Sequence, residues 1–416
     1  MRIAPFFLVA TLASSTGACG GKQPDPTPTA KPPETAAPPA AQDAAVAPEL
    51  AAAVETSLPA ADVALAAEAS TPSNPAIAEL APLWDEIDKC EDTSDRYSAE
   101  QCPACYKLLE AVNLAYSERD KRPDRFAQIH EALIDQLIHG KNPKSRSCAA
   151  YADWAKCDTG GRKYDDDVAQ AIALLDALKA LDAEDEGVGE GIANILRRWW
   201  KKGGEPRKAM FAVIADENVK SLRGRRQLIR HAGWAAQDVP ELVDALIAWT
   251  KDARVPIQTV AIEVLGDLTP GAEVANKAQG RLLELLGAES YAVASAAAQA
   301  LARVTDRDGL DAALAWYKAN AAAAKVTETM AFFLSYVAVG KRFEDDAAGD
   351  AAIRKAIDAL LEDKGLTADD KGYIMFVLGL MGGPRSAATC VRFAKDKDTR
   401  VAAKAKACVD KAKATK

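Results

Sequence analysis

A chain of 416 residues with 49% hydrophobic side chains can build one or two sizeable cores, but its length alone does not separate a compact domain from an extended array. Lys and Arg number 52 against 60 Asp and Glu, and a formal charge of −8 excludes the basic balance of a nucleic-acid binder and the concentrated charge of an acidic tail. Aromatic content of only 6% with abundant alanine argues against a β-rich fold and predicts an all-α class, because strands favour branched and aromatic side chains.

Residues 1–18 read as an export signal: Arg2 supplies the charge, Ile3 to Ala13 a short apolar run, and Ser14 to Ala18 the small residues that lead into Cys19. The run is too short to span a bilayer, and no later stretch has the apolar length that spanning requires. Thr16-Gly17-Ala18-Cys19-Gly20 resembles a bacterial lipobox, with Thr16 where Leu is usual. On that reading Cys19 is lipidated and becomes the first mature residue; the alternative is simple cleavage after Ala18. Residues 19–76 follow as an Ala/Pro-rich linker, in which Gly20 to Ala76 hold 11 of the 21 prolines and no aromatic residue. Such a segment buries no core and is expected to be a disordered spacer. The expected location is the bacterial cell envelope, lipid-anchored to a membrane and facing the periplasm or the cell surface.

From Ile77 onward, apolar residues recur at helical spacing. Residues 77–123 are expected to form a Cys-containing helical cap, and 124–416 a run of helical hairpins. Leu242, Ala245, Leu246 and Trp249 make one stripe, a turn spans Asp252 to Val255, and Val260, Val264 and Leu265 begin the facing stripe. Pro123, Pro206, Pro240 and Pro384 fall where hairpins begin, and Pro256 opens a second helix, in keeping with proline's tolerance in a first turn. Aligned second helices place Trp234, Leu265, Leu301, Val337, Leu378 and Val409 at similar positions, with steps of 31, 36, 36, 41 and 31 residues. A unit of that size buries its apolar face only by stacking on neighbours, which predicts an α-solenoid.

Asp398-Thr399-Arg400-Val401-Ala402-Ala403, continuing through Ala405 and Ala407, resembles the turn and small-residue second helix of the HEAT-repeat family, including its bacterial lyase-like branch. Val255 to Gly266 and Val293 to Leu301 are similar. The resemblance covers Arg125 to Lys411, about eight hairpins. It implies an α-solenoid with a protein-binding habit, and transfers no catalytic residue.

Cys90, Cys102, Cys105, Cys148 and Cys157 cluster early, while Cys390 and Cys408 lie in the last hairpin; export favours disulfides among them. Cys102-Pro-Ala-Cys105 has CxxC spacing but neither a thioredoxin-like strand before it nor a haem-type His after it. Both cysteines are expected to share a helical face and to pair with another segment, Cys148 or Cys157 being candidates. Cys148 and Cys157, nine residues apart, point to opposite sides of one helix and do not pair with each other. Cys390 and Cys408 both face the last hairpin's interior, offset by roughly 6 Å along it, which leaves a disulfide and two buried thiols as near equals.

No catalytic, metal or cofactor constellation emerges. His130, His139 and His231 sit in no metal motif and are expected at the surface. Gly187-Val188-Gly189-Glu190-Gly191 lacks the strand context of a phosphate loop and reads as an inter-repeat loop and helix start. The acidic runs Asp165 to Asp167 and Asp182 to Glu186 read as solvated helix starts. One asymmetry stands out. Between Ile195 and His231, Arg197, Arg198, Lys201, Lys202, Arg207, Lys208, Lys220, Arg223, Arg225, Arg226 and Arg230 face only Glu205, Asp216 and Glu217. Arg197, Arg198, Lys201, Lys202, Arg223, Arg225, Arg226 and Arg230 are therefore anion-binding candidates, with Trp199 and Trp200 as possible stacking partners. The alternative is that they neutralise acidic neighbours across the stack, with both Trp in the core. The functional expectation is a non-catalytic envelope scaffold that binds other envelope proteins and reaches the membrane through its lipid, with no nucleic-acid partner. A module for an anionic polymer or lipid comes second, and an enzyme with its site on the inner surface last.

Overall fold

The computed structural model describes residues 74–90, 102–157, 167–183, 185–320, 324–340, 346–364 and 366–414. The export signal, Cys19, the linker up to residue 73, Asp165, Asp166 and the Cys157 side chain lie outside the described residues. All regular structure within them is helical. Two helices come first, α1 (Pro75–Ile87) and α2 (Pro103–Ser117). Hairpins follow in order: α3 (Pro123–His139) with α4 (Pro143–Cys157), then α5 (Val168–Lys179) with α6 (Glu186–Leu196). The short α7 (Trp199–Lys202) leads into α8 (Gly204–Ala215) with α9 (Leu222–Ala236), then α10 (Glu241–Trp249) with α11 (Val255–Leu265) and α12 (Glu273–Leu285) with α13 (Tyr291–Val304). The last three are α14 (Arg307–Asn320) with α15 (Ala324–Val339), α16 (Ala347–Leu361) with α17 (Ala368–Met381), and α18 (Gly383–Phe393) with α19 (Thr399–Ala414).

Each second helix packs on the second helix of the next hairpin, from α4 through α6, α9, α11, α13, α15 and α17 to α19. First helices pack on one another along the opposite row, as α10 does on α12 and α12 on α14. This is an all-α solenoid of antiparallel hairpins, HEAT-like in its organisation.

Local chemistry explains where the helices start. Proline occupies the first turn of α1, α2, α3, α11 and α18, where its missing N–H costs no intrahelical bond. Asn74 caps α1 by accepting from the Ala76 N–H at 2.9 Å, so the cap begins two residues before the expected Ile77. The Asp-x-Arg turn recurs at Asp252/Arg254 and Asp398/Arg400. In each, the aspartate accepts the arginine's backbone N–H, at 2.8 and 2.9 Å, and pairs with its guanidinium. Arg254 also donates to the Ile214 carbonyl at the end of α8, so this turn ties two hairpins together.

Glycine sets how near the second helices come. A Cβ on Gly266 would lie 2.5 Å from the Ala300 Cα and 2.8 Å from its carbonyl oxygen, and one on Gly233 would lie 1.7 Å from a Val264 methyl. This seam also corrects the alignment at Trp234. The eleventh residue of α9 is Ala232, buried as are Leu265, Leu301 and Leu378, the eleventh residues of α11, α13 and α17. Trp234 is instead 61% exposed, because the small residues beside it occupy the seam.

Among the described residues, three disulfides join elements at the two ends of the stack. Cys90 bonds Cys102, the N-cap of α2; Cys105 bonds Cys148 on α4; and Cys390 on α18 bonds Cys408 on α19, with Cα separations of 5.4, 6.1 and 6.1 Å. The two cysteines of the CxxC therefore serve different partners. The glycine-rich segment read as an inter-repeat loop and helix start proves to be the helix start alone: Gly187, Gly189 and Gly191 lie inside α6.

The seam generates a paired prediction. Gly266→Ala should destabilise by about 2 kcal/mol, because its contacts are backbone atoms that cannot rotate away. Gly280→Ala, exposed within α12 with nothing near its missing Cβ, should stabilise by roughly 1 kcal/mol. Urea denaturation monitored by circular dichroism checks both signs.

Candidate functional site

Three successive second helices, α4, α6 and α9, border a groove of about 470 Å³. Its floor is low because α6 contributes glycine: a Cβ on Gly191 would lie 2.2 Å from that of Ala150, and one on Gly187 would lie 3.0 Å from the Ser147 hydroxyl. Tyr151 on α4 and Trp234 on α9 stand on opposite sides, and both are exposed.

Between them runs a polar wall. Asn194 Oδ1 accepts from Gln227 Nε2 at 3.0 Å and lies 2.8 Å from His231 Nε2, and Gln227 Nε2 lies 3.2 Å from the same ring nitrogen. His231 is 2% exposed and its Nδ1 is buried without a hydrogen-bond partner. Burial, then the neighbouring Arg197 and Arg230, lowers its pKa to about 3, so the ring is neutral at physiological pH. His130 is buried too, its Nδ1 2.6 Å from Asp153 Oδ1. The expectation of surface histidines is thus overturned at His130 and His231, and only His139 is exposed. Periodicity places a histidine on a helix, but these two are covered by helices that arrive from other parts of the chain.

Charges around the groove are engaged with one another. Glu186 accepts from the backbone N–H groups of Leu222 and Arg223, at 3.1 and 2.5 Å, and so caps α9 from the preceding hairpin. Glu190 pairs with Arg223 at 2.5 Å, and Asp185 lies 3.7 Å from Arg146. Asp182 bonds Lys220 at 2.7 Å. Asp182 and Glu186 therefore join the second hairpin to the third, while Asp185 faces the first, beyond the run's expected role as a solvated helix start.

The anion-binding candidates divide accordingly. Lys201 pairs with Asp238 at 2.5 Å, and Arg230 lies 3.9 Å from Glu263, both on the fourth-hairpin side. Arg207 pairs with Glu241 at 3.1 Å. Arg225 is only 6% exposed and donates to the Asp216 carbonyl at 3.0 Å, a structural position that removes it from any surface site. Arg197 and Arg198, in the junction between α6 and α7, and Arg226 on α9 are half-buried. Lys202 lies 5.1 Å from the Trp199 ring centroid, while Trp200 is fully buried edge-on against Phe211 and Trp249. Sequence reasoning found the charge cluster but missed the groove, whose signal was the pairing of Gly187 and Gly191 with aromatics two helices apart.

No protein-family model matches the chain, and no curated relative does either. Similar solved structures include an engineered protein at 15% identity, covering 81% of this chain and 99% of its own, with a TM-score of 0.32. Human deoxyhypusine hydroxylase in complex with glycerol is 16% identical over 68% of this chain and 96% of its own, with a TM-score of 0.27. Importin beta is 11% identical over 82% of this chain and 53% of its own, with a TM-score of 0.36. These TM-scores are too low to carry an argument, and the account of the fold rests on this chain's own packing.

The neutral, buried His231 has a pH signature. Its folded-state pKa lies below the usual value near 6.5, so the unfolded chain binds the proton first, and stability falls as pH drops from that value toward about 3. Between pH 6 and 5, thermal or urea unfolding should lose roughly 1 kcal/mol per pH unit from this residue. His231→Gln should flatten that slope, and an unchanged slope would contradict the assignment.

Proposed function

We propose that this chain is a non-catalytic scaffold of the cell envelope whose row of second helices docks protein partners, beginning at the groove of α4, α6 and α9. The observation that carries this reading is an open groove flanked by exposed Trp234 and Tyr151 whose charged side chains already hold one another. Exposed tryptophan and tyrosine supply large contact area at small entropic cost and dominate binding energy in protein interfaces. Charges that are already paired spare a partner the need to match them. The titratable group deepest in the groove, His231, is neutral and hydrogen-bonded, which supports binding over acid–base chemistry. The pairing of Lys201, Lys220 and Arg223 with carboxylates weighs against an anionic polymer or lipid as the partner of this region.

Export and lipidation at Cys19 belong to the same proposal. Three disulfides support it, since such bonds persist in oxidising compartments. A lipid-anchored start followed by the Ala/Pro-rich linker would hold the helical stack near a membrane at a distance set by the linker.

Two measurements test the proposal. A photo-crosslinking amino acid placed at Trp234 or Tyr151 should trap the same protein species in intact cells, while one at Lys208, exposed on α8, should not; equal trapping at all three positions would refute the groove. Cys19→Ser should move the protein from the membrane to the soluble fraction, and mass spectrometry of the wild-type N-terminus should show a diacylglyceryl group. Unchanged fractionation would refute the anchor.

A further inference from the structure

The amide pair in the groove of α4, α6 and α9 has hydrogen-bonding capacity left over. Asn194 Oδ1 is engaged by Gln227 Nε2 at 3.0 Å and lies 2.8 Å from the His231 ring nitrogen, from which Gln227 Nε2 is 3.2 Å away. The Asn194 Nδ2 donor and the Gln227 Oε1 acceptor have no partner in the protein. Both side chains line the groove half-buried, and both open atoms reach solvent. Rotating the two amides by half a turn exchanges the atoms but again leaves one donor and one acceptor, because the pair shares a single hydrogen bond.

The rest of the groove narrows what this pair takes. Its lining carries three cations, Lys144, Arg197 and Arg223, and three carboxylates, Asp185, Glu186 and Glu190, so it has no net charge with which to select a charged ligand. All three carboxylates are engaged within the protein: Glu190 pairs with Arg223 at 2.5 Å, Asp185 lies 3.7 Å from Arg146, and Glu186 holds the first N–H groups of α9. Lys144 donates to the Cys90 carbonyl. A neutral occupant suits these walls, since a charged one would lose its hydration without gaining a partner.

Geometry then favours a main chain. In an extended segment the N–H and C=O of one residue point to the same side, and together they need one acceptor and one donor. The open amide atoms are that complement. The flanking rings, Tyr151 on α4 and Trp234 on α9, stand on helices two steps apart, roughly 16–20 Å at the usual packing distance. Five or six extended residues, at ~3.3 Å each, cover that span. A saccharide of the same reach brings several hydroxyls per ring, and one donor–acceptor pair serves only a fraction of them.

We infer that this groove binds an extended, uncharged segment of a partner protein by its main chain. Asn194 and Gln227 take the C=O and N–H of one residue, while Tyr151 and Trp234 pack on side chains to either side. The inference rests on the scaffold reading and states how that partner is held.

Random twelve-residue peptides displayed on phage and selected on the full chain, with a Trp234→Ala chain used to discard binders of other surfaces, supply the probe. Selected peptides should be free of Asp, Glu, Lys and Arg in the stretch that binds. Replacing their peptide bonds one at a time by esters deletes single N–H groups with little change of shape. One replacement should weaken binding in fluorescence polarisation about fivefold or more, and those beside it should matter less. Gln227→Met, close to Gln in shape, should bring the amide and ester forms within about twofold of each other, which identifies the acceptor. The ester series on the unaltered chain decides the matter if that variant does not fold. Trp234-dependent peptides that tolerate every ester, or that need a charged residue, would overturn the inference and leave protein docking standing. Recovery of no such peptide would overturn both, and Trp234-dependent binding of chitotetraose in their place would assign the groove to a saccharide.

Discussion

Successive second helices in this stack meet through residues with almost no side chain, and the register of the other elements depends on those contacts. Gly191 lies against Ala150, Gly233 against Val264, and Gly266 against the backbone at Ala300. Close approach of this kind gains dispersion contact over a long seam, but it also leaves no room for bulk on the seam itself. Larger side chains are displaced to either side. Those on one flank fill the space between the two helix rows, where Leu265, Leu301 and Leu378 are buried. Others turn outward, as Trp234 does beside Gly233.

Polar bonds then lock neighbouring hairpins at a chosen offset. Each exposed ion pair contributes little stability, about 0–1 kcal/mol, so their effect lies in alignment more than in free energy. Glu186 is the clearest case, because it accepts two first-turn N–H groups of α9 that the N-cap Ser221 leaves open and thereby couples the start of one repeat to the hairpin before it. The ends of the array have only one such neighbour. There the chain uses covalent bonds, with Cys105–Cys148 fastening α2 to the first hairpin and Cys390–Cys408 closing the last.

A seam of small residues flanked by outward-facing larger ones makes each second helix a carrier for whatever its sequence places there. On α4, α6 and α9 that is two aromatics and an amide–imidazole wall; on α13, α15 and α17 it is Tyr291, Phe332 and Tyr373, ring beside ring.

Much of this architecture was legible in the residues. Helical periodicity, proline at helix starts and the recurrence of hairpins gave the all-α class and about eight repeats, because these signals act within a few residues of one another. Local signals also brought Cys390 and Cys408 to one interior, although they left a bond and two thiols equally open. What periodicity does not carry is the identity of the covering neighbour. Trp234 shares the helical spacing of its aligned counterparts yet faces solvent, while the polar His130 and His231 are buried beneath helices from other parts of the chain. The basic run between Ile195 and His231 looked like a patch because its partners lie elsewhere: Glu186 and the Arg223 N–H that it accepts are 37 residues apart. Only stacking brings such groups together, and it is the contact between repeats, not the pattern within one, that decides which side chains are spent on the fold and which remain for a partner.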